Sequence, residues 1–181
     1  MSAALVLETD RLALRRLSPG DAAFMLELLN DPSFLRNIGD RGVRTLDDAR
    51  KYIETGPMAS YERFGFGLYR MELKDTHEPI GICGLLKRET LQDVDVGFAL
   101  LPRFWSKGYA KESVAAVLAY GRASLGLKRI VAITSPGNVA SISLLAKFGF
   151  RFEGMTRLSK DGEELKLFAS DVDVAQGAGP A

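Results

Sequence analysis

Asp93-Val94-Asp95-Val96-Gly97-Phe98-Ala99-Leu100-Leu101-Pro102 reads as a β-strand running into a break, and Arg103-Phe104-Trp105-Ser106-Lys107-Gly108-Tyr109-Ala110-Lys111-Glu112 as a loop closing onto a helix. In the first half Val94, Val96, Phe98 and Leu100 recur with period two on one face, and Asp93 and Asp95 share the other. Beyond Pro102 the period turns helical, with Ala110, Val114, Val117, Leu118, Gly121 and Leu125 in one stripe and Gly126 at the capping position. A loop entering a helix start presents unpaired peptide N–H groups and the positive end of the helix dipole, which suits a phosphate or pyrophosphate. Gly108 and Ala110 let such a ligand approach the main chain, and Arg103, Lys107 and Lys111 add positive charge. The same small residues also permit a tight strand-to-helix turn with no ligand at all.

Outward from this segment, Arg129 to Thr134 is a compact β-branched strand, Pro136-Gly137 a turn and Asn138 to Lys147 a short helix. Two strands, Phe150 to Thr156 and Glu163 to Phe168, flank the turn at Lys160-Asp161-Gly162. Upstream, Leu12 to Leu17 alternates as a first strand, and Ser18-Pro19-Gly20-Asp21 carries the capping signals of a helix through Asn30. Asp31 to Arg44 reads as loop. Thr45-Leu46-Asp47-Asp48 caps a second helix, which Gly56-Pro57 is expected to stop. Phe64, Phe66, Leu68, Met71 and Leu73 alternate as a strand up to the polar turn Lys74 to Pro79, and Ile80 to Leu86 returns. Helices inserted among hairpins and crossovers predict an α+β fold with a mixed sheet rather than a uniformly parallel one.

The chain has 181 residues, enough for one domain, read here as 1–174 with a disordered tail at 175–181. Lys and Arg number 24 against 23 Asp and Glu, so the net charge of +1 gives no electrostatic case for a nucleic-acid or membrane partner. One cysteine, Cys83, and one histidine, His77, supply neither a disulfide framework nor a metal cluster. Cys83 lies in an apolar strand and reads as core; His77 lies in a polar turn and reads as exposed. No apolar run approaches the ~20 residues that cross a bilayer, and the start lacks a leader pattern. The expectation is a soluble cytoplasmic protein without a metal.

Asn138 to Phe150, with Asn138 as a helix cap, Ser141 one turn inside and Gly149-Phe150 at the end, completes a pattern with the Arg103 to Glu112 loop. Together they resemble the GNAT N-acetyltransferase superfamily, whose pyrophosphate loop reads Gln/Arg-x-x-Gly-x-Gly/Ala and whose later helix carries Asn-x-x-Ser/Ala. The opening Glu8-Thr9-Asp10-Arg11-Leu12-Ala13-Leu14-Arg15, and Trp105 where Gln or Arg is usual, are similar to the ribosomal-protein (RimJ/RimL-like) branch. The resemblance spans Leu7 to Asp171. It implies a mostly antiparallel sheet of about seven strands flanked by about four helices, splayed between its two central strands. It further implies acetyl-CoA as cosubstrate, with the amides of Ser106, Lys107, Gly108, Tyr109, Ala110 and Lys111 on the pyrophosphate, and Arg103 nearby. The main chain of Phe98 and Leu100 would hold the pantetheine arm, Asn138 would contact it, and Ser141 would lie near the thioester sulfur. A homodimer is an expectation on family grounds alone.

The chain departs from the family where many members place a tyrosine to protonate the leaving thiolate: that position is Leu145. Ser141 or water would then serve. Asp95, in the acidic slot of Asp-Val-Gly-Phe and similar to the family's Glu-Ile-Gly-Tyr, is the first choice as general base, with Asp93 behind it; a solvated strand acid is the bland reading of both. With no His paired to a Ser or Cys, direct transfer to a primary amine in a ternary complex is expected over an acyl-enzyme. The acceptor is a peptide N-terminus or a small molecule. A catalytically idle acyl-CoA-binding or sensor domain is the rival, and Leu145 is its best support. A dinucleotide-binding oxidoreductase would need Gly-x-Gly-x-x-Gly after a first strand, which is absent.

Overall fold

The computed structural model describes residues 3–171, and the tail expected at 175–181 lies outside them. Eight strands form one sheet: β1 (Leu5–Glu8), β2 (Leu12–Arg16), β3 (Leu68–Leu73), β4 (Pro79–Leu86), β5 (Asp95–Leu100), β6 (Arg129–Thr134), β7 (Arg151–Thr156) and β8 (Leu165–Asp171). Their spatial order is β1-β2-β3-β4-β5-β6-β8-β7. Every neighbouring pair is antiparallel except β5 and β6, which run parallel. The expected α+β architecture is therefore present, with one strand more than anticipated. That extra strand is β1, a four-residue piece that pairs with β2 across a tight turn in which the Thr9 N–H donates to Leu12 O at 2.9 Å.

Six α-helices accompany the sheet among the described residues: α1 (Ala22–Asn30), α2 (Pro32–Asn37), α3 (Leu46–Ile53), α4 (Ala59–Phe64), α5 (Tyr109–Ala123) and α6 (Val139–Lys147). Four expectations are corrected here. The segment Asp31 to Arg44 is not all loop, because Asp31 caps α2 by accepting the Ser33 N–H at 2.8 Å, and Pro32 occupies the first position. Gly56-Pro57 does not stop the second helix. The chain passes through a π-helical turn, Glu54–Met58, which holds Pro57, and continues as α4 until Gly65 adopts φ +82°. Phe64 consequently ends a helix instead of opening a strand, and β3 begins only at Leu68. The strand expected from Asp93 likewise begins at Asp95, leaving Asp93 in the bend before it.

Cross-strand partners assign the two faces of the sheet. Tyr69, Cys83 and Phe98 align across β3, β4 and β5 on one face, and α5 covers it with Val114, Val117, Leu118 and Gly121, the last against Leu85 and Ile130. These side chains belong to one continuous buried core. On the opposite face Leu68, Ile82, Leu86, Asp95 and Ala99 floor a cavity. Strand parity thus turns Val96 and Phe98 toward the helix and Asp95 toward the cavity.

The sheet opens where its direction changes. β4 and β5 stay in register over six residue pairs, and β6 and β8 over six. Between β5 and β6 a single register pair, Asp95 with Val131, is kept, with the Val131 N–H donating to Val94 O at 2.9 Å. Past that point the two strands diverge, which is the expected splay. Because Val94 O faces β6 and the Leu101 N–H faces β4 through Ile80 O, alternation aims the main chain of Val96, Phe98 and Leu100 into the gap.

Candidate active site

At the α5 start, Gly108 at φ +82° and Ser106 at φ +60° both lie in the left-handed region, bending the loop into a concave run of peptide groups. The first intrahelical bond is from the Glu112 N–H to Gly108 O at 3.0 Å. The N–H groups of Tyr109, Ala110 and Lys111 therefore have no acceptor within the helix. They border a groove of about 630 Å³ that also takes in Ser106, Trp105, Phe98, Ala99, Leu100, Asn138 and Ser141.

A brace from the far end of the chain fixes this loop. Arg11 donates from Nη1 to Lys107 O at 2.9 Å and from Nε to Glu112 Oε2 at 2.7 Å, and its guanidinium lies 4.5 Å from the Tyr109 ring centroid. Glu112 accepts in addition from the Arg11 N–H at 2.9 Å and Thr9 Oγ1 at 2.5 Å. Burial pushes the Glu112 carboxyl up, but those donors outweigh it and hold the group below its ordinary value. Thr9 and Arg11 belong to the turn between β1 and β2, so sequence reading gave no sign that they support the loop. The signal was a separation of about a hundred residues between partners of opposite charge, which a single sequence does not reveal.

The predicted positions divide. Ser106, Gly108, Tyr109, Ala110, Lys111, Phe98, Leu100, Asn138 and Ser141 all border the groove. Arg103 does not: Nη1 bonds Glu27 at 2.6 Å and Nη2 lies 3.7 Å from Glu78. The Lys107 side chain turns over the Phe104 ring, 5.6 Å from its centroid, so only its backbone stays at the loop. Arg36 and Lys147 join Lys111 in supplying positive charge to the wall. Leu100 O is already engaged, accepting from Trp105 Nε1 at 2.9 Å. That leaves the Leu100 N–H and both groups of Phe98 on the open strand edge.

The groove meets the cavity on the other face, about 290 Å³ in volume, at Phe34, Asn37, Ile38, Phe98, Ala99, Asn138 and Ser141, which border both. Asn138 caps α6 by accepting the Ser141 N–H at 3.2 Å, which fixes the Asn138 side chain at this junction. Ser135 Oγ donates to Asn37 O at 2.7 Å and pins the end of α2 over it. Leu145, at the family's tyrosine position, is buried against the cavity.

Asp95 is 1% exposed and is the one acid on the cavity wall among the described residues. Burial pushes its carboxyl above the ordinary aspartate value, opposed by the charge of Arg88 and the hydrogen bond from Arg88 Nε at 3.0 Å. Asp93 is elsewhere: it accepts from Arg129 Nε at 3.0 Å in an ion cluster with Glu153 and Asp171, and borders neither space. Cys83 is fully buried and burial pushes its thiol up to about 12, which fits the core role read from sequence. His77 is exposed in its turn.

A splayed sheet with a loop of free amides on one side and a buried carboxylate on the other is the arrangement that the resemblance to the GNAT superfamily implies. The comparisons agree. Residues 11–151 match the family model described as "Acetyltransferase (GNAT) domain". The chain is 33% identical over 153 residues to the Bacillus subtilis (strain 168) protein named "Uncharacterized N-acetyltransferase YoaA", covering 84% of this chain and 86% of that one. Among solved structures it superposes on "RimL- Ribosomal L7/L12 alpha-N-protein acetyltransferase" with a TM-score of 0.79, 17% identity and 95% and 96% of the two chains covered. "Microcin C7 self immunity acetyltransferase MccE in complex with Acetyl-CoA and AMP" gives a TM-score of 0.73 at 17% identity, over 91% and 94%. The chain belongs to the GNAT acetyltransferase family, and its activity is acetyl transfer from acetyl-CoA. No helix among the described residues is long and apolar enough to cross a membrane.

Proposed function

We propose that this acetyltransferase acetylates the α-amine of an amino acid or peptide by direct attack in a ternary complex. The observation that carries the reading is the junction of groove and cavity at Phe98, Asn138 and Ser141, which lets a thioester from one face meet a nitrogen from the other. In this reading the free N–H groups of Tyr109, Ala110 and Lys111 bind the pyrophosphate, and the Phe98 main chain holds the pantetheine arm as an added strand. The amine nitrogen forms its bond to the acetyl carbon as the carbon–sulfur bond breaks. One proton leaves the amine toward Asp95, directly or through water, and one reaches the departing sulfur from Ser141 or water.

The preference for an α-amine is thermodynamic. With reference pKa values of about 7.8 and 10.4, making the nitrogen neutral at pH 7 costs roughly 1 kcal/mol for an α-amine and roughly 4.6 kcal/mol for a lysine. The oxyanion would be met by an N–H on the open edge of β5, a contribution of roughly 3 kcal/mol.

The test is initial-rate kinetics of CoA release over a matrix of acetyl-CoA and amine concentrations. Intersecting reciprocal plots, and no acetylated protein by mass spectrometry, are expected. Parallel plots with a trapped acetyl-enzyme would overturn direct transfer. Tight acetyl-CoA binding with no CoA release on any amine would make the domain a sensor.

A further inference from the structure

The cavity on the Asp95 side is cationic at its mouth and apolar beyond. Arg41 and Arg88 both border it, against the single carboxylate of Asp95. Arg88 spends only Nε on Asp95, at 3.0 Å, so its two terminal nitrogens are without a partner among the described residues. Arg41 has no ion pair or side-chain hydrogen bond among the described residues. The acid beside it, Asp40, is taken by Arg44 at 2.5 Å and by the Gly42 N–H at 2.8 Å. Both guanidinium groups act on the phenol of Tyr52: burial pushes it up, and their charge pulls it back. Leu86, Ile133, Leu158 and Leu165 are part of its apolar lining.

Two cations with spare donors on the wall that carries Asp95 repel a protonated lysine or a polyamine. They attract an amine that brings its own anion. An arginine fork accepts a carboxylate in plane, and Arg88 already touches the base through its other edge. A carboxylate on its free edge therefore brings an amine one carbon away toward Asp95. A space of about 290 Å³ is at the small end of ligand sites and fits a body the size of one amino acid.

We infer that the acceptor is a free α-amino acid with an apolar side chain, its carboxylate held by Arg41 and Arg88. This rests on the transferase reading above and narrows it. The experiment compares CoA release at saturating acetyl-CoA from L-leucine, L-leucinamide, 3-methylbutylamine and the amidated peptide Leu-Asp-Gly, on the wild-type protein and on R41Q. Arg41 is exposed, so the substitution leaves the fold intact. Leucine should be turned over, and the ratio of its kcat/KM to that of leucinamide should fall about tenfold in R41Q. Taking the ratio within each protein cancels the different pKa values of the two amines. An unchanged ratio overturns the inference, as does turnover confined to the amide, the decarboxylated amine or the peptide; those results leave amine acetylation standing. Release from none of the four, nor from the wider amine matrix, removes the transferase reading itself.

Discussion

Gly108→Ala isolates the loop that is assigned to the pyrophosphate. Gly108 sits at φ +82°, and a Cβ there would come 3.2 Å from Arg11 Nη2. That atom is the end of a flexible side chain and yields by a few tenths of an ångström, so the contact adds little. The backbone does not yield: an alanine held left-handed costs about 1–2 kcal/mol. In the free variant the loop relaxes away from this conformation, and the N–H groups of the first α5 turn cease to converge. Binding must then restore the strained form, so the same energy reappears as lost affinity. At 1.4 kcal/mol per decade this is about a five- to thirtyfold rise in Kd. Isothermal titration with acetyl-CoA and with CoA should show equal losses, since both carry the pyrophosphate. A Kd within twofold of wild type would refute the assignment, and so would a loss confined to acetyl-CoA.

The other predictions address the base, the brace and the acid response. Asp95→Asn should lower kcat about a hundredfold while acetyl-CoA affinity is kept. Because burial holds the Asp95 carboxyl above the aspartate range, wild-type activity should fall as pH drops through that raised value, and the asparagine variant should lose this limb; a retained limb removes Asp95 as base. Arg11→Ala deletes the bonds to Lys107 O and Glu112, and should weaken acetyl-CoA binding about threefold to tenfold with kcat at saturation kept. Unaltered binding would show that the loop holds itself. Glu72 is nearly inaccessible and meets Arg15 at 2.7 Å and Arg70. Burial pushes its carboxyl up, but the Arg15 hydrogen bond and the Arg70 charge outweigh it, leaving it below its ordinary 4.5. A lowered folded value gives stability that is full above pH 4.5 and lost as pH falls below it. Glu72→Gln should therefore flatten the decline of the urea midpoint below pH 4.5, and an unchanged slope would refute this.

Local chemistry was legible wherever one segment contained both partners of an interaction. The Asn138 cap lies three residues from the Ser141 N–H it accepts, and the helix was readable with its boundaries. β6 was readable for the same reason, as a β-branched run between a glycine and a proline turn. Errors arose where a local signal had two physical outcomes. Gly56-Pro57 reads as a stop, yet a π-turn accommodates a residue without an N–H, and the helix resumes. Phe64, Phe66 and Leu68 alternate like a strand, yet Phe64 and Phe66 stack at 6.0 Å around the glycine that ends α4.

By itself the sequence determined the α+β order, the start of α5 with its free N–H groups and the asparagine cap of α6, because each depends on hydrogen bonds and side-chain periods spanning a few residues. Only the tertiary structure decided which cations serve the site. Arg103 and Lys107 look equivalent to Lys111 along the chain, but Glu27, Glu78 and the Phe104 ring draw the first two away, while Arg36 and Lys147 join Lys111 on the groove wall from distant segments. The reason is that a charge is assigned by its nearest partners in space, and for Arg103 that partner, Glu27, lies 76 residues away.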